Sequence, residues 1–211
     1  RCQLPNADKE IHLPNYPIEN PAVGIVLELG KKAIVIHAGK HWPSKTFPKE
    51  YWEEQVRAFQ REGFDTVLIG KEGFEVGSGN VGFVEVAPEG SIDLRNQLSM
   101  RDLIGLLKNS HYLFSNDSAP IHIAAAGDAF IGFVASCKHP DYITHWRRGQ
   151  FGYKTKNFGR DGAWNHMDHS PVQDNEVKAE ELPASLMEKL LPNPSEVARF
   201  FRKLREENHD T

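Results

Sequence analysis

Residues 112–126, Tyr-Leu-Phe-Ser-Asn-Asp-Ser-Ala-Pro-Ile-His-Ile-Ala-Ala-Ala, constrain the fold of this chain more than any other stretch. A short apolar run ends in Asn116-Asp117-Ser118, and a helix of small residues begins at once. Asp117 or Ser118 is expected to cap that helix, since each carries a side-chain oxygen for the first-turn N–H groups. Pro120 suits the first turn, where its missing N–H is not needed. Ala124, Ala125 and Ala126 let the helix lie close against a sheet. The pattern predicts a strand whose carboxyl end points at a helix N-terminus, with His122 on the first turn. Free N–H groups there make a site for a phosphate or diphosphate. An ordinary crossover with a capped helix is the alternative.

A second segment has the same character. Ile34-Val35-Ile36 is a buried-strand run that breaks into His37-Ala38-Gly39. Lys40, Ser44, Lys45 and Thr46 follow on a loop, and Pro48 opens an amphipathic helix carrying Tyr51, Trp52, Val56 and Phe59. Ligands bind at this edge of open α/β sheets. Lys45 is the favoured diphosphate contact; Lys40 and Lys49 read as solvent-facing.

The rest of the chain alternates in the same way. Strands are expected at Ile34–His37, Thr66–Ile69, Val81–Val86, Tyr112–Ser115 and Phe130–Ala135. Helices are expected at Glu50–Arg61, after a Ser99 cap, at Pro120–Ala126 and from Ser195 onward. This βαβ order predicts a parallel sheet covered on both faces, hence an α/β Rossmann-like layer. Residues 1–22 are proline-punctuated, and the region 1–30 reads as a linker or the tail of a preceding domain. Residues 31–137 read as the nucleotide-binding layer. Residues 138–211 read as an irregular loop region followed by helix that docks on the domain or crosses to another.

Bulk properties narrow the class. The chain has 211 residues, enough for one well-buried α/β domain. Its net charge of −4, with basic residues dispersed, disfavours a chain built mainly to grip nucleic acid. Cys2 and Cys137 are far apart and have no metal-type spacing, which suits a reducing cytoplasm. No apolar run approaches a membrane span, and no signal peptide is visible. Arg1 is not an initiating residue, so the N-terminus is expected to be processed or truncated.

The two motifs resemble those of glycosyltransferase family 9, the ADP-heptose:lipopolysaccharide heptosyltransferases. His37-Ala38-Gly39-Lys40-His41-Trp42-Pro43-Ser44-Lys45-Thr46-Phe47-Pro48 is similar to a His-Pro-Gly…Ser-Lys-Arg-Trp-Pro segment of that family. Asn116–Ala126 resembles its Asp-Ser/Thr-Gly-x-x-His-x-x-Ala-Ala segment. The resemblance covers roughly residues 30–140. It implies the C-terminal, donor-binding half of a two-domain GT-B fold, with a nucleoside-diphosphate sugar as donor and ADP-heptose as the family default. The lipopolysaccharide acceptor is implied by the family alone, and a nucleic-acid acceptor is disfavoured. Cytoplasmic placement follows, with attachment to the inner face of the membrane as a variant. The catalytic base is expected in the missing N-terminal domain, so no catalytic residue is assigned and the chain alone is expected to be inactive.

For the donor site the resemblance implies Ser44, Lys45, Glu72, Leu98, Asp117, Ser118, Ala119 and His122. Gly70-Lys71-Glu72 matches a Gly-x-Glu stretch whose carboxylate accepts ribose hydroxyls; Glu75 or a solvated acid is the alternative. Leu98 falls where the family places an apolar residue beside the base, or it is a core leucine. Asp117 binds donor hydroxyls, caps the helix, or does both. The chain departs from the family at Ala38 for proline, at Ala119 for glycine and at Ala135-Ser136-Cys137 for a Gly-Pro-Thr-like turn. No cofactor or metal is expected: Asp161–His169, with His166, Asp168 and His169, fits no metal motif and reads as a polar loop. The aromatic and basic stretch His145–Lys156 reads as a solvated surface loop. A non-catalytic nucleotide-sugar-binding module and a sugar-nucleotide epimerase of GT-B-like architecture are the rival readings.

Overall fold

A computed structural model describes residues 10–38, 47–71, 87–135, 139–159 and 191–207. The strands are β1 (Ala33–His37), β2 (Asp65–Ile69), β3 (Ile92–Asp93), β4 (Tyr112–Asn116), β5 (Phe130–Val134), β6 (Trp146–Arg147), β7 (Gln150–Phe151) and β8 (Thr155–Asn157). The helices are α1 (Pro21–Glu28), α2 (Lys49–Arg61), α3 (Met100–Asn109), α4 (Ala119–Ala124), α5 (Pro140–Ile143) and α6 (Pro194–Glu207). Among the described residues six strands form one sheet in the order β3-β2-β1-β4-β5-β8, and every pairing in it is parallel. β6 and β7 form a separate antiparallel hairpin.

The parallel sheet follows from the apolar runs. Ile34, Val35 and Ile36 are buried on both faces of β1, as are Leu113 and Phe114 on β4. Such strands need a helical layer on each side. On one side α2 and α6 cover the sheet, packing Trp52, Phe59 and Phe201 against Phe114 of β4. On the other, α1, α3 and α4 contribute Val23, Val26, Leu106, Leu107, Ile121 and Ala124. α3 starts with the expected cap: Ser99 Oγ accepts from Asp102 N–H at 3.1 Å, and Asp102 accepts from Ser99 N–H at 3.3 Å.

Some elements differ from the sequence expectation. Within the stretch read as linker or tail, Pro21–Glu28 form a helix that buries Val23 and Val26. Asn20 caps it by accepting from Ala22 N–H at 3.0 Å, and Asp102 of α3 accepts from Asn20 N–H at 3.1 Å. Eight residues, apolar almost throughout, show no clear helical period, and the prolines before them read as linker. Beyond β5, Thr155–Asn157 add a sixth strand in a region read as irregular. Three residues are too few for an alternation signal. The edge strand beside β2 is Ile92–Asp93, while the expected strand Val81–Val86 lies outside the described residues. α6 docks on the same domain: Arg205 donates to the carbonyls of Gly63 and Glu62, each at 2.8 Å, just past the end of α2.

Candidate functional site

The carboxyl ends of β1 and β4 are adjacent, and chain order reverses between them. β1 continues through α2 to β2 on one side, whereas β4 continues to β5 on the other. The splayed connections leave a crevice at such a switch point, where ligands of open α/β sheets bind.

Polar side chains meet there. His37, the last residue of β1, places Nδ1 3.0 Å from Ser118 Oγ and 3.3 Å from Ser115 Oγ. The two serine hydroxyls are 3.1 Å apart, and Ser115 donates to the Asn116 carbonyl at 2.8 Å. Ser115 and Asn116 are fully buried, and Asp117 and Ser118 nearly so. Polar groups so enclosed are costly unless hydrogen-bonded, and this network supplies partners from two strands and the turn after β4.

Ser118 occupies the N-cap position of α4, yet its side chain makes no capping bond. Of the two capping residues expected, Asp117 or Ser118, the serine therefore does not serve through its side chain. Its backbone is extended, and the hydroxyl turns toward His37 and Ser115. The first-turn amides are therefore not answered by the Ser118 hydroxyl. With six residues, α4 has a small dipole, so those amides matter more than the helix field. Asp117 immediately precedes the cap. Ala119 is exposed at the first helical position and has helical backbone. Alanine in place of glycine is therefore free of backbone strain there.

His122 lies one turn into α4, and its Nδ1 is 2.6 Å from Nε2 of His145. His145 belongs to the stretch read as a solvated surface loop. Burial, the neighbouring His122 ring and Arg147 pull its pKa down to about 4. Arg147 is buried as well and donates to the carbonyls of Ala129, at 2.9 Å, and Gly127. It fastens the β6–β7 hairpin to the turn between α4 and β5. Nothing local in the sequence signals either contact, because both depend on where the hairpin lands.

The β2 side of the crevice is built by a pinned turn. Leu94 N–H donates to Leu68 O and Asn96 N–H to Gly70 O, both at 2.9 Å. Asn96 takes a left-handed conformation, φ 61°, which asparagine tolerates better than most residues. The turn brings Leu98 to this edge, half-buried against the core cluster that contains Leu94 and Leu106. Arg95, which sequence reasoning missed, binds Asp93 in a fork, Nε–Oδ1 2.7 Å and Nη2–Oδ2 2.6 Å. That contact holds the Asp93 carboxyl below its ordinary range. Arg95 also borders a small apolar cleft lined by Ile36, Ala38, Trp52, Val56, Leu68 and Ile69.

The structure thus brings Asp117, Ser118, Ala119 and His122 together on one turn and sets Leu98 along the same sheet edge. Ser44, Lys45 and Glu72 lie outside the described residues, as do Glu75, Cys137 and Asp161–His169. Among the described residues, no three His, Cys, Asp or Glu side chains cluster to hold a metal, and no helix is long and apolar enough to cross a membrane.

The family model for glycosyltransferase family 9 (heptosyltransferase) matches residues 3–131, which include β1, the pinned turn and the whole β4–α4 segment. The chain belongs to glycosyltransferase family 9. No curated protein sequence matches it closely enough to add a second line of comparison. Among solved structures, the family 9 protein of Veillonella parvula superimposes with a TM-score of 0.59 at 15% identity, over 97% of this chain and 56% of that protein. Heptosyltransferase TibC of enterotoxigenic E. coli, solved with ADP-D-beta-D-heptose, gives 0.60 at 15% identity, over 83% of this chain and 45% of its own. E. coli ADP-heptose lipopolysaccharide heptosyltransferase II gives 0.53 at 17% identity, over 87% and 56% respectively. These likenesses show a shared fold, that of the GT-B glycosyltransferases. This family 9 chain spans about half the length of each of these proteins.

Proposed function

We propose that this family 9 chain is the donor-binding half of a glycosyltransferase that takes a nucleoside-diphosphate sugar, with ADP-heptose the first candidate. The observation that carries the reading is the network of His37, Ser115 and Ser118 at the β1–β4 switch point, beside Asp117 and His122. These groups are buried or held in place, as a donor site requires.

Transfer breaks the anomeric C–O bond and leaves negative charge on the departing diphosphate. Fixed donors and cations aimed at those oxygens lower the barrier. In this reading Lys45 and Ser44, in the segment that follows β1, meet the diphosphate. The Ser118–Ala119 backbone and His122 meet it from α4. Glu72 takes the ribose hydroxyls, Leu98 lies against the base, and Asp117 binds hydroxyls of the sugar. No metal or other cofactor takes part, in keeping with the lack of an Asp-x-Asp pattern in the matching region. The acceptor, a lipopolysaccharide core by family habit, and the base that deprotonates it are assigned to a second domain. The proposed place of action is the cytoplasm, at the inner face of the membrane.

Calorimetry with ADP and UDP, with and without a chelator, tests the reading. Binding of a nucleoside diphosphate that survives chelation is expected. Binding that requires magnesium, or no binding of either nucleotide, overturns it.

A further inference from the structure

We infer that His145 is a positioning residue for His122, fixing the tautomer in which His122 presents an Nε2–H donor at the carboxyl edge of the sheet. This rests on the reading of His122 as a contact to the donor's diphosphate.

The two rings meet edge to face, centroids 4.8 Å apart and planes at 81°. Nδ1 of His122 and Nε2 of His145 are 2.6 Å apart, so one proton lies between them. The other nitrogen of His145, Nδ1, is buried and has no hydrogen-bond partner among the described residues. An orphaned buried N–H is rarer in proteins than an under-used acceptor. A neutral imidazole carries a single N–H. With Nδ1 bare, the His145 proton is on Nε2 and is donated to His122 Nδ1. His122 then accepts at Nδ1 and, when neutral, must carry its own proton at Nε2. Burial keeps His145 neutral well below neutral pH.

The support behind His145 is rigid. Arg147, two residues on, is anchored to backbone carbonyls at the α4–β5 turn. The His145 carbonyl accepts from Gly152 N–H at 3.0 Å, and Thr144 N–H and Oγ1–H both donate to the Pro140 carbonyl at 2.9 Å. His145 therefore approaches α4 from a fixed backbone. The second ring nitrogen of a histidine takes its proton state from the bond made by the first. His122 so set donates to a phosphate oxygen without first taking up a proton.

Long-range 1H–15N NMR on the 211-residue chain, at neutral pH and without nucleotide, reads the tautomer directly. His122 protonated at Nε2 is expected, with a mixture of tautomers in His145→Phe. The same substitution should weaken ADP binding about two- to tenfold, the range of one neutral hydrogen bond, and leave adenosine unchanged. His145→Gln, whose amide can donate to Nδ1, should restore most of the loss. His122 protonated at Nδ1 in the wild-type chain, or an unchanged tautomer in His145→Phe, would overturn the inference. A wild-type chain that shows the Nε2 tautomer yet binds no ADP supports the pairing and removes the donor-site reading.

Discussion

His37 and Ser118 join the ends of two strands: His37 Nδ1 is 3.0 Å from Ser118 Oγ, across 81 residues of chain. The contact spans the switch point and turns the Ser118 hydroxyl away from the amides of α4. Removing either side chain leaves the other without this partner in a nearly buried site. His37→Ala and Ser118→Ala should each destabilise the fold by about 1–3 kcal/mol. In a double-mutant cycle by urea denaturation the two should be coupled by about 0.5–1.5 kcal/mol. Additive losses would mean that the two groups act independently.

Lys45→Ala should weaken binding of the diphosphate and leave binding of the nucleoside nearly intact. A charge-assisted contact is worth about 1.5–3 kcal/mol, so a loss of roughly ten- to a hundredfold in ADP affinity is expected. Calorimetry with ADP and adenosine side by side decides it. Equal losses for both ligands would show that Lys45 supports its loop and does not touch phosphate.

His145 gives the fold a predictable response to acid. Its folded pKa is held at about 4, below the ordinary value of 6.5. Between those values the unfolded chain binds a proton that the folded chain refuses. Stability contributed by the neutral ring is complete above 6.5 and declines as pH falls toward 4. His145→Phe, which cannot titrate, should flatten that part of the curve of stability against pH. Thermal melts of both chains from pH 7 to pH 4 measure it; parallel curves would count against a buried neutral His145.

Gly132 lies in the middle of β5, under the aromatic layer of α6. A Cβ at this position would be 2.7 Å from the Phe201 ring and 2.9 Å from Phe158. Both rings would have to shift in a core that already holds Phe59, Phe114 and Phe201 fully buried. Gly132→Ala should cost about 1–3 kcal/mol, as overpacking does, and lower the melting temperature. An unchanged Tm would mean that α6 is held less tightly than Arg205 and this packing indicate.

What was legible in the sequence follows from range of interaction. The runs Ile34-Val35-Ile36 and Tyr112-Leu113-Phe114, the Ser99 cap and the turn at Asn116-Asp117-Ser118 are local, and each appears where its pattern places it. Periodicity and capping act within a few residues, so they can be read from one chain. The uses of the polar side chains were not legible. Ser118 has a capping residue's place and gives its hydroxyl to His37. His145 sits in a polar stretch and ends against His122, because Arg147 seats the hairpin on the α4–β5 turn. Arg95 follows a strand of two residues too short to signal itself. For Ser118 and His145 the deciding partner is distant in sequence, and no spacing rule reports it. The partner of Arg95 is near, at Asp93, but the strand that presents it is set by pairing with β2.

Catalysis by the chain on its own is the most demanding test of the proposal. Sugar transfer needs an acceptor held in line with the anomeric carbon and a base within hydrogen-bond reach of its hydroxyl. In a GT-B enzyme the donor lies against one domain, and the acceptor and base come largely from the other. This chain spans about half of each family 9 or heptosyltransferase structure described above. The 211-residue chain is therefore expected to bind nucleotide yet transfer little or no sugar. Slow hydrolysis of the donor is expected to persist, because leaving-group stabilisation stays with Lys45 and the Ser118–His122 turn. Supplying an acceptor domain, fused or as a separate piece, should restore transfer. A multiple-turnover assay on the purified chain measures this. Robust transfer without any added domain would place the base within residues 1–211, and His37, Asp117 and His122, which share one edge of the sheet, would be the first to replace.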